Sequence, residues 1–141
     1  MAIIEQARSL FEIVENIETI NFAIRSDSSG AAENVIVAYM ADDSSPCIRS
    51  LQYLASHIER SDSIPRQLLQ RNIRLLYVDV SNESLMSQTP HRVRDVPTLY
   101  AHIQGNRKIG RFVGQFDAHK FFELLKKWYG EVILPSYGPF H

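Results

Sequence analysis

The residues best suited to chemistry lie in the segment ADDSSPC, residues 41–47, which ends in the only cysteine of the chain. A cysteine thiolate is a strong nucleophile, and a helix N-terminus or a nearby cation favours it. Ser44 precedes Cys47 by three residues, close to one helical turn. Asp42 and Asp43 could form an acidic pair, but acids just before a helix more often stabilise its dipole. The segment therefore predicts either a reactive single thiol or a buried, inert cysteine.

A second spacing of chemical interest lies near the C-terminus. His119 and Glu123 are four residues apart in a predicted helix, which would suit a pair of metal ligands. The sequence offers no third ligand beside them, and its five histidines are scattered. We therefore interpret the pair as part of a solvated helix face and expect neither a metal site nor a cofactor.

The overall charge limits the classes of partner. The chain has 141 residues, with 15 basic and 16 acidic side chains and a net charge of −1. Nucleic acids and anionic membranes usually require a basic surplus, so we expect neither as a partner. Several basic residues fall near a predicted loop and hairpin, and the near-neutral total favours a solvated surface over a patch for an acidic partner. These residues are His91, Arg92, Arg94, Arg107, Lys108 and Arg111.

Cysteine content and apolar segments indicate a cytoplasmic protein of one domain. One cysteine cannot form an internal disulfide, which suits a reducing compartment. The N-terminus carries Glu5 and lacks the basic start of a secretory signal. The longest apolar run, residues 35–41, is far too short to span a bilayer. The length predicts a single domain over residues 1–141.

Hydrophobic periodicity predicts helices that alternate with buried strands. Ser45 is the expected N-cap of the second helix, with Pro46 at its first position. Residues 131–141 contain two prolines and no period, so we expect an extended tail. The predicted elements are a helix at about 3–20, a strand at 35–40, a helix from Ser45, a short helix from Pro65, a strand at 73–80, a short helix at 82–89, a hairpin of 98–103 and 108–113 around Gly105-Asn106, and a helix capped by Asp117.

Three segments, in this order, resemble the thioredoxin superfamily. VIVAYMADDSSPC is similar to the strand and active-site segment that ends in Trp-Cys-Gly-Pro-Cys, RVRDVPTLY to the segment ending in Ile-Pro-Thr, and FVGQFDAHKFFELL to the closing segment. The resemblance covers about residues 34–129. It implies an α/β, thioredoxin-like fold with a central mixed sheet of about four to five strands flanked by helices. It also implies a cis-proline loop at Val96-Pro97.

The resemblance also implies that the active site is degenerate. Ser44 stands where the family has its first, attacking cysteine, and a hydroxyl cannot form a mixed disulfide. Cys47 matches the second, resolving cysteine. Ala38 and Asp43 replace the family's buried aspartate and its tryptophan. We therefore expect no dithiol–disulfide oxidoreductase activity from SSPC in place of CGPC.

The resemblance is better at the segment that recognises substrates in this family, which Val96-Pro97 matches, than at the residues that carry out its thiol chemistry. A single cysteine at the second position also occurs in the phosducin-like branch, whose members bind proteins, and the resemblance to that branch is loose. Together, the resemblances to the superfamily and to this branch imply a polypeptide partner. The residues expected to contact this partner are Asp43, Ser44, Ser45, Pro46, Val96 and Pro97. The alternative is a monothiol oxidoreductase, or a peroxidase-like enzyme in which Ser44-x-x-Cys47 resembles the peroxiredoxin motif and Cys47 attacks.

Overall fold

Two nearly continuous apolar segments form the centre of the fold. The computed structural model describes residues 7–25, 34–103 and 107–130. Strand β2, Asn34–Met40, runs parallel to β3, Ile73–Asp79, from the Asn34–Ile73 pair to the Met40–Asp79 pair. Both strands are rich in β-branched and aromatic residues, which fit a sheet covered on both faces.

Two antiparallel strands extend the sheet on the β2 side. Strand β4, Thr98–Ile103, pairs with β2, and β5, Arg107–Val113, pairs with β4. The sheet is five-stranded and mixed, with the order β1-β3-β2-β4-β5. The predicted mixed sheet is therefore confirmed, and the residues expected to form the turn of its hairpin lie outside the described part of the chain.

The prediction of one continuous helix over about 3–20 is wrong, because Ala7 and Arg8 are helical but residues 9–16 are not. Strand β1, Glu12–Ile13, pairs in parallel with β3, and helix α1 begins only at Ile17 and ends at Arg25. Residues 3–6 lie outside the described ranges.

Contacts with β3 explain the break. The Val14 backbone donates to the Tyr77 carbonyl at 2.9 Å, and Arg74 makes a bidentate ion pair with Glu12 at 2.8 and 2.9 Å. Asn16 then accepts the Glu18 N–H at 2.8 Å, which satisfies a donor in the first turn of α1. A pairing with a strand some 60 residues away overrides the local helical period.

The remaining helices follow their local signals. Helices α2, Ser45–Arg60, and α3, Ser63–Gln70, connect β2 to β3, and α3 begins two residues before the predicted Pro65. Helix α4, Glu83–Gln88, follows β3, and α5, Ala118–Tyr129, closes the fold. Asp117 accepts the Lys120 N–H at 2.8 Å as the predicted cap of α5, and Gly130 ends this helix with a positive φ of 76°. The predicted extended tail, residues 131–141, lies outside the described residues.

Each face of the sheet supports its own hydrophobic cluster. Helices α2 and α5 cover one face, where Cys47 packs among apolar side chains that include Leu51, Phe121 and Leu125. Helix α1 covers the other face with Ile20 and Ile24. None of the helices in the described ranges is long and apolar enough to cross a membrane.

Candidate functional site

The candidate site begins where β2 ends and α2 starts. Ser44 has extended backbone angles, φ −87° and ψ 122°, and its hydroxyl accepts the Cys47 N–H at 3.4 Å. Ser44 is therefore the N-cap, and the prediction of Ser45 as the cap is wrong by one residue. The reason is local, because Ser45 already has helical geometry and its side chain is exposed.

Cys47 points into the protein. Its side chain is 1% exposed, and its Sγ accepts the Ala41 N–H at 3.5 Å. It belongs to the hydrophobic cluster under α2. Thiol chemistry requires access as well as ionisation, so this geometry favours the inert of the two predicted states.

The two aspartates before the helix do not act as a pair. Asp42 accepts a hydrogen bond from Arg8 at 2.6 Å and one from the Tyr77 hydroxyl at 3.2 Å. Burial raises the pKa of Tyr77 to about 12, so its hydroxyl stays protonated at neutral pH. Asp43 is exposed and makes no such contact within the described residues. Asp42 thus ties the loop to the N-terminal segment, and Asp43 faces solvent.

The second predicted part of the site is the loop before β4. The Val96-Pro97 peptide bond is cis, Pro97 is buried and Val96 is half-buried. The Pro97 carbonyl accepts the Gly114 N–H at 2.9 Å, which joins this loop to the end of β5. Val96 packs against the same hydrophobic cluster as Cys47, so both halves of the predicted site border one core.

The residues predicted to contact a partner therefore differ in exposure. Asp43, Ser45 and Pro46 are exposed, and Ser44 and Val96 are half-buried. Pro97 is buried, and its carbonyl accepts the N–H of Gly114, the residue after β5. The exposed part of the predicted site is therefore the first turn of α2 and the segment before it. Val96 is half-buried and packs against the hydrophobic cluster that contains Cys47.

Sequence reasoning missed a buried polar chain on the opposite face of the sheet. The expectation of a solvated surface is wrong for His91, which is only 9% exposed, and His102 is 4% exposed. Their Nε2 atoms are 2.7 Å apart, and the Tyr39 hydroxyl lies 2.6 Å from His91 Nδ1. The Tyr39 hydroxyl also bonds to Thr89, and the His91 ring stacks on Tyr100 with centroids 4.1 Å apart. The alternation of Thr98, Tyr100 and His102 along β4 was the available signal, because it places the three on one face.

This series of hydrogen-bonded side chains requires that both histidines are neutral. Burial is the main cause that lowers the pKa of His91 to about 3 and that of His102 to about 4, with Lys108 adding repulsion. A neutral imidazole has one donor and one acceptor nitrogen, so all the hydrogen bonds can run in one direction. Two protonated rings would oppose two N–H donors across the 2.7 Å contact. At neutral pH, these hydrogen bonds attach the loop after α4 to β4.

No part of the described structure brings together three or more side chains that could hold a metal ion. His119 and Glu123 form an exposed ion pair at 3.2 Å, and Lys120 also reaches Glu123 at 3.1 Å. These contacts fit the solvated helix face expected from the sequence.

No protein-family model matches the chain, and no curated protein matches its sequence. Solved structures do match. The oxidized mitochondrial thioredoxin 3 of Saccharomyces cerevisiae superposes with a TM-score of 0.60 at 15% identity, over 86% of this chain and 98% of that one. The thioredoxin of Trichomonas vaginalis gives 0.58 at 20% identity, over 84% and 96%.

A third similar structure concerns thiol resolution of the yeast mitochondrial 1-Cys peroxiredoxin through glutathione and thioredoxin systems. It has a TM-score of 0.56 and 14% identity, and covers 83% of this chain and 94% of that one. Likeness at such low identity concerns the fold and carries no activity with it. The sheet order, the flanking helices and these superpositions together establish that the chain has a thioredoxin-like α/β fold.

Proposed function

We propose that this protein is a redox-inactive thioredoxin-like module that binds polypeptides. The binding surface would be the rim surface, defined as Asp43, Ser44, Ser45, Pro46, Val96 and the backbone at Pro97. The observation that carries the proposal is the burial of the only thiol at 1% exposure, beside a serine whose oxygen caps a helix.

The chain lacks the groups that a thioredoxin-type dithiol cycle requires for disulfide reduction. Reduction of a disulfide needs an exposed thiolate to form the mixed disulfide and a second thiol to release the product. Ser44 has no sulfur, and a single Cys47 cannot close an internal disulfide. Ala38 is completely buried and apolar where a proton-transferring acid would be needed.

The rim surface has the features of a binding site that does no chemistry. Three of its side chains are exposed, and the loop beside it is held by the Pro97–Gly114 hydrogen bond and by the packing of Val96. A surface fixed before binding loses less entropy when a partner associates. The resemblance to the phosducin-like branch agrees with this assignment, and the single thiol suits a reducing compartment such as the cytoplasm.

The second candidate is a monothiol enzyme that uses Cys47. The observation in its favour is the Ala41 N–H directed at Sγ, because a donor at this distance stabilises a thiolate. Its difficulty is access, since a peroxide or disulfide would reach Sγ only after the start of α2 opened. We therefore rank it second.

The test is peptide selection against the immobilised full chain, followed by titration of the selected peptides. Ser45→Arg places a bulky cation on the rim surface and should raise the Kd at least about tenfold, or about 1.4 kcal/mol. Ser56→Arg is the matched control, because Ser56 is exposed on the same helix away from the rim. Equal loss of affinity in both variants, or none in either, would reject the rim surface as the binding site.

A further inference from the structure

A charged cleft lies between the loop that precedes β4 and the end of β5. Its volume is about 160 Å³, and we call it the arginine cleft. It is lined by Arg92, Arg94, Asp95, Thr98, Arg111 and Val113. The sequence predicts a solvated surface for its basic residues, whereas the fold places three of them around one concavity.

Strand register explains how the cleft forms. Thr98 pairs with Val113 and Tyr100 with Arg111 across β4 and β5, so Arg111 and Val113 project from the same face of the sheet. The loop before β4 contributes Arg92 and Arg94 to the lining of the same concavity.

The guanidinium groups of the cleft have no partner in the part of the chain that the structure describes. Within the described residues, none of Arg92, Arg94 and Arg111 donates a side-chain hydrogen bond or forms an ion pair. Arg8 and Arg66 in contrast bind Asp42 and Asp62 at 2.6 and 2.8 Å. Three unpaired cations against the single carboxylate of Asp95 give the concavity a local positive field, although the net charge of the chain is −1.

The backbone around the cleft is fixed before any ligand binds. The Tyr100 hydroxyl donates to the Arg92 carbonyl, and the Thr98 hydroxyl donates to the Asp95 carbonyl. His91, next to Arg92, stacks on Tyr100. The arginine side chains remain exposed on this anchored backbone, which lowers the entropy cost of binding.

We propose that the arginine cleft binds an acidic segment of a polypeptide partner, which rests on the proposed function and names the class of partner. Guanidinium groups bind carboxylates with two parallel hydrogen bonds, and this geometry favours arginine over a point charge. Val113 adds an apolar contact at 45% exposure. Strand β5 pairs only with β4 among the described residues, so its other edge is available to an extended chain.

The test is fluorescence anisotropy with the full chain and a labelled peptide in which Glu and Asp alternate with Val. Its neutral counterpart replaces each acid with Gln or Asn. The acidic peptide should bind at least about tenfold more tightly, and its affinity should fall as salt rises. Arg94→Gln/Arg111→Gln should remove most of this difference.

The matched control is Arg60→Gln/Lys127→Gln, which removes two exposed positive charges outside the cleft and should change the Kd less than about twofold. Asp95→Asn should tighten binding of the acidic peptide several-fold, a gain that loss of folding cannot produce. Circular dichroism verifies that each variant is folded.

Equal binding of both peptides that Ser45→Arg abolishes would overturn the acidic preference and leave the proposed function intact. Binding of neither peptide would overturn the inference, and the Ser45→Arg titration of selected peptides would then judge the proposed function separately. Tighter binding of an oligonucleotide than of the acidic peptide would also overturn it.

Discussion

The histidine pair makes stability depend on pH. The pKa values of His91 and His102, about 3 and about 4, lie below the ordinary 6.5, so the unfolded chain takes up protons first as the pH falls. The contribution of the two neutral histidines to the free energy of unfolding is fully present above about pH 6.5, and it declines as the pH falls towards 4. Between pH 7 and pH 5 we expect a loss of about 2–4 kcal/mol in the free energy of unfolding.

Urea unfolding at the two pH values measures this loss. His91→Gln/His102→Gln should flatten the dependence, although it lowers stability at pH 7. His119→Gln should retain the wild-type dependence, because His119 is exposed and pairs only with Glu123 within the described residues. Identical stability of the wild-type protein at pH 7 and pH 5 would contradict the assignment of neutral, buried histidines.

The helix cap permits a test between adjacent serines. Ser44→Ala removes the acceptor of the Cys47 N–H and should cost about 1 kcal/mol in the free energy of unfolding. Ser45→Ala is the control, and it should change stability by less than about 0.5 kcal/mol because Ser45 is exposed and makes no cap bond. A larger cost for Ser45→Ala would return the cap to the position that the sequence predicted.

At the scale of elements, Gly110 sets the distance between β5 and α5. A Cβ atom at this position would lie 2.0 Å from Trp128 Nε1, and Trp128 is 8% exposed, so the indole has little room to move. Gly110→Ala should therefore destabilise the protein by about 1–3 kcal/mol. Because the chain has one tryptophan, a change in its emission reports the displaced indole directly.

Gly114→Ala supplies the comparison for this substitution. Gly114 has a φ of 122°, which strains an alanine, but apart from its chain neighbours no atom of the described residues lies within 4 Å of the added Cβ. Both variants should lose stability, and only Gly110→Ala should change the tryptophan emission. The same emission spectrum in Gly110→Ala and the wild-type protein would show that α5 packs elsewhere.

Local signals predicted most elements, and non-local pairing accounts for those that were missed. Strands β2 and β3 could be recognised because each is a nearly continuous apolar run bounded by polar loops. Strand β1 could not, because two residues carry no period and their position depends on Tyr77 and Arg74 of β3. The site shows the same division. Cys47 was found from its own segment, whereas the His91–His102 pair and the arginine cleft depend on how β4 and β5 align with a preceding loop.

At the scale of the whole molecule, a thioredoxin-like fold does not by itself imply thioredoxin chemistry. The chain has the mixed sheet and flanking helices of this fold, and we propose that its SSPC segment carries out no thiol chemistry. Although the net charge is −1, three arginines lie together around one cleft. We therefore propose that the function depends on two surfaces, the rim surface and the arginine cleft.

The most direct test of the central claim is the rate at which Cys47 of the native protein is alkylated by iodoacetamide at neutral pH. The unfolded chain in urea serves as the reference for an accessible thiol. We predict a native rate at least about 100-fold slower, since reaction requires an opening that costs about 2.7 kcal/mol or more. A native rate equal to or above that of the unfolded chain would mean an accessible, activated thiolate, and would contradict the assignment of a redox-inactive module.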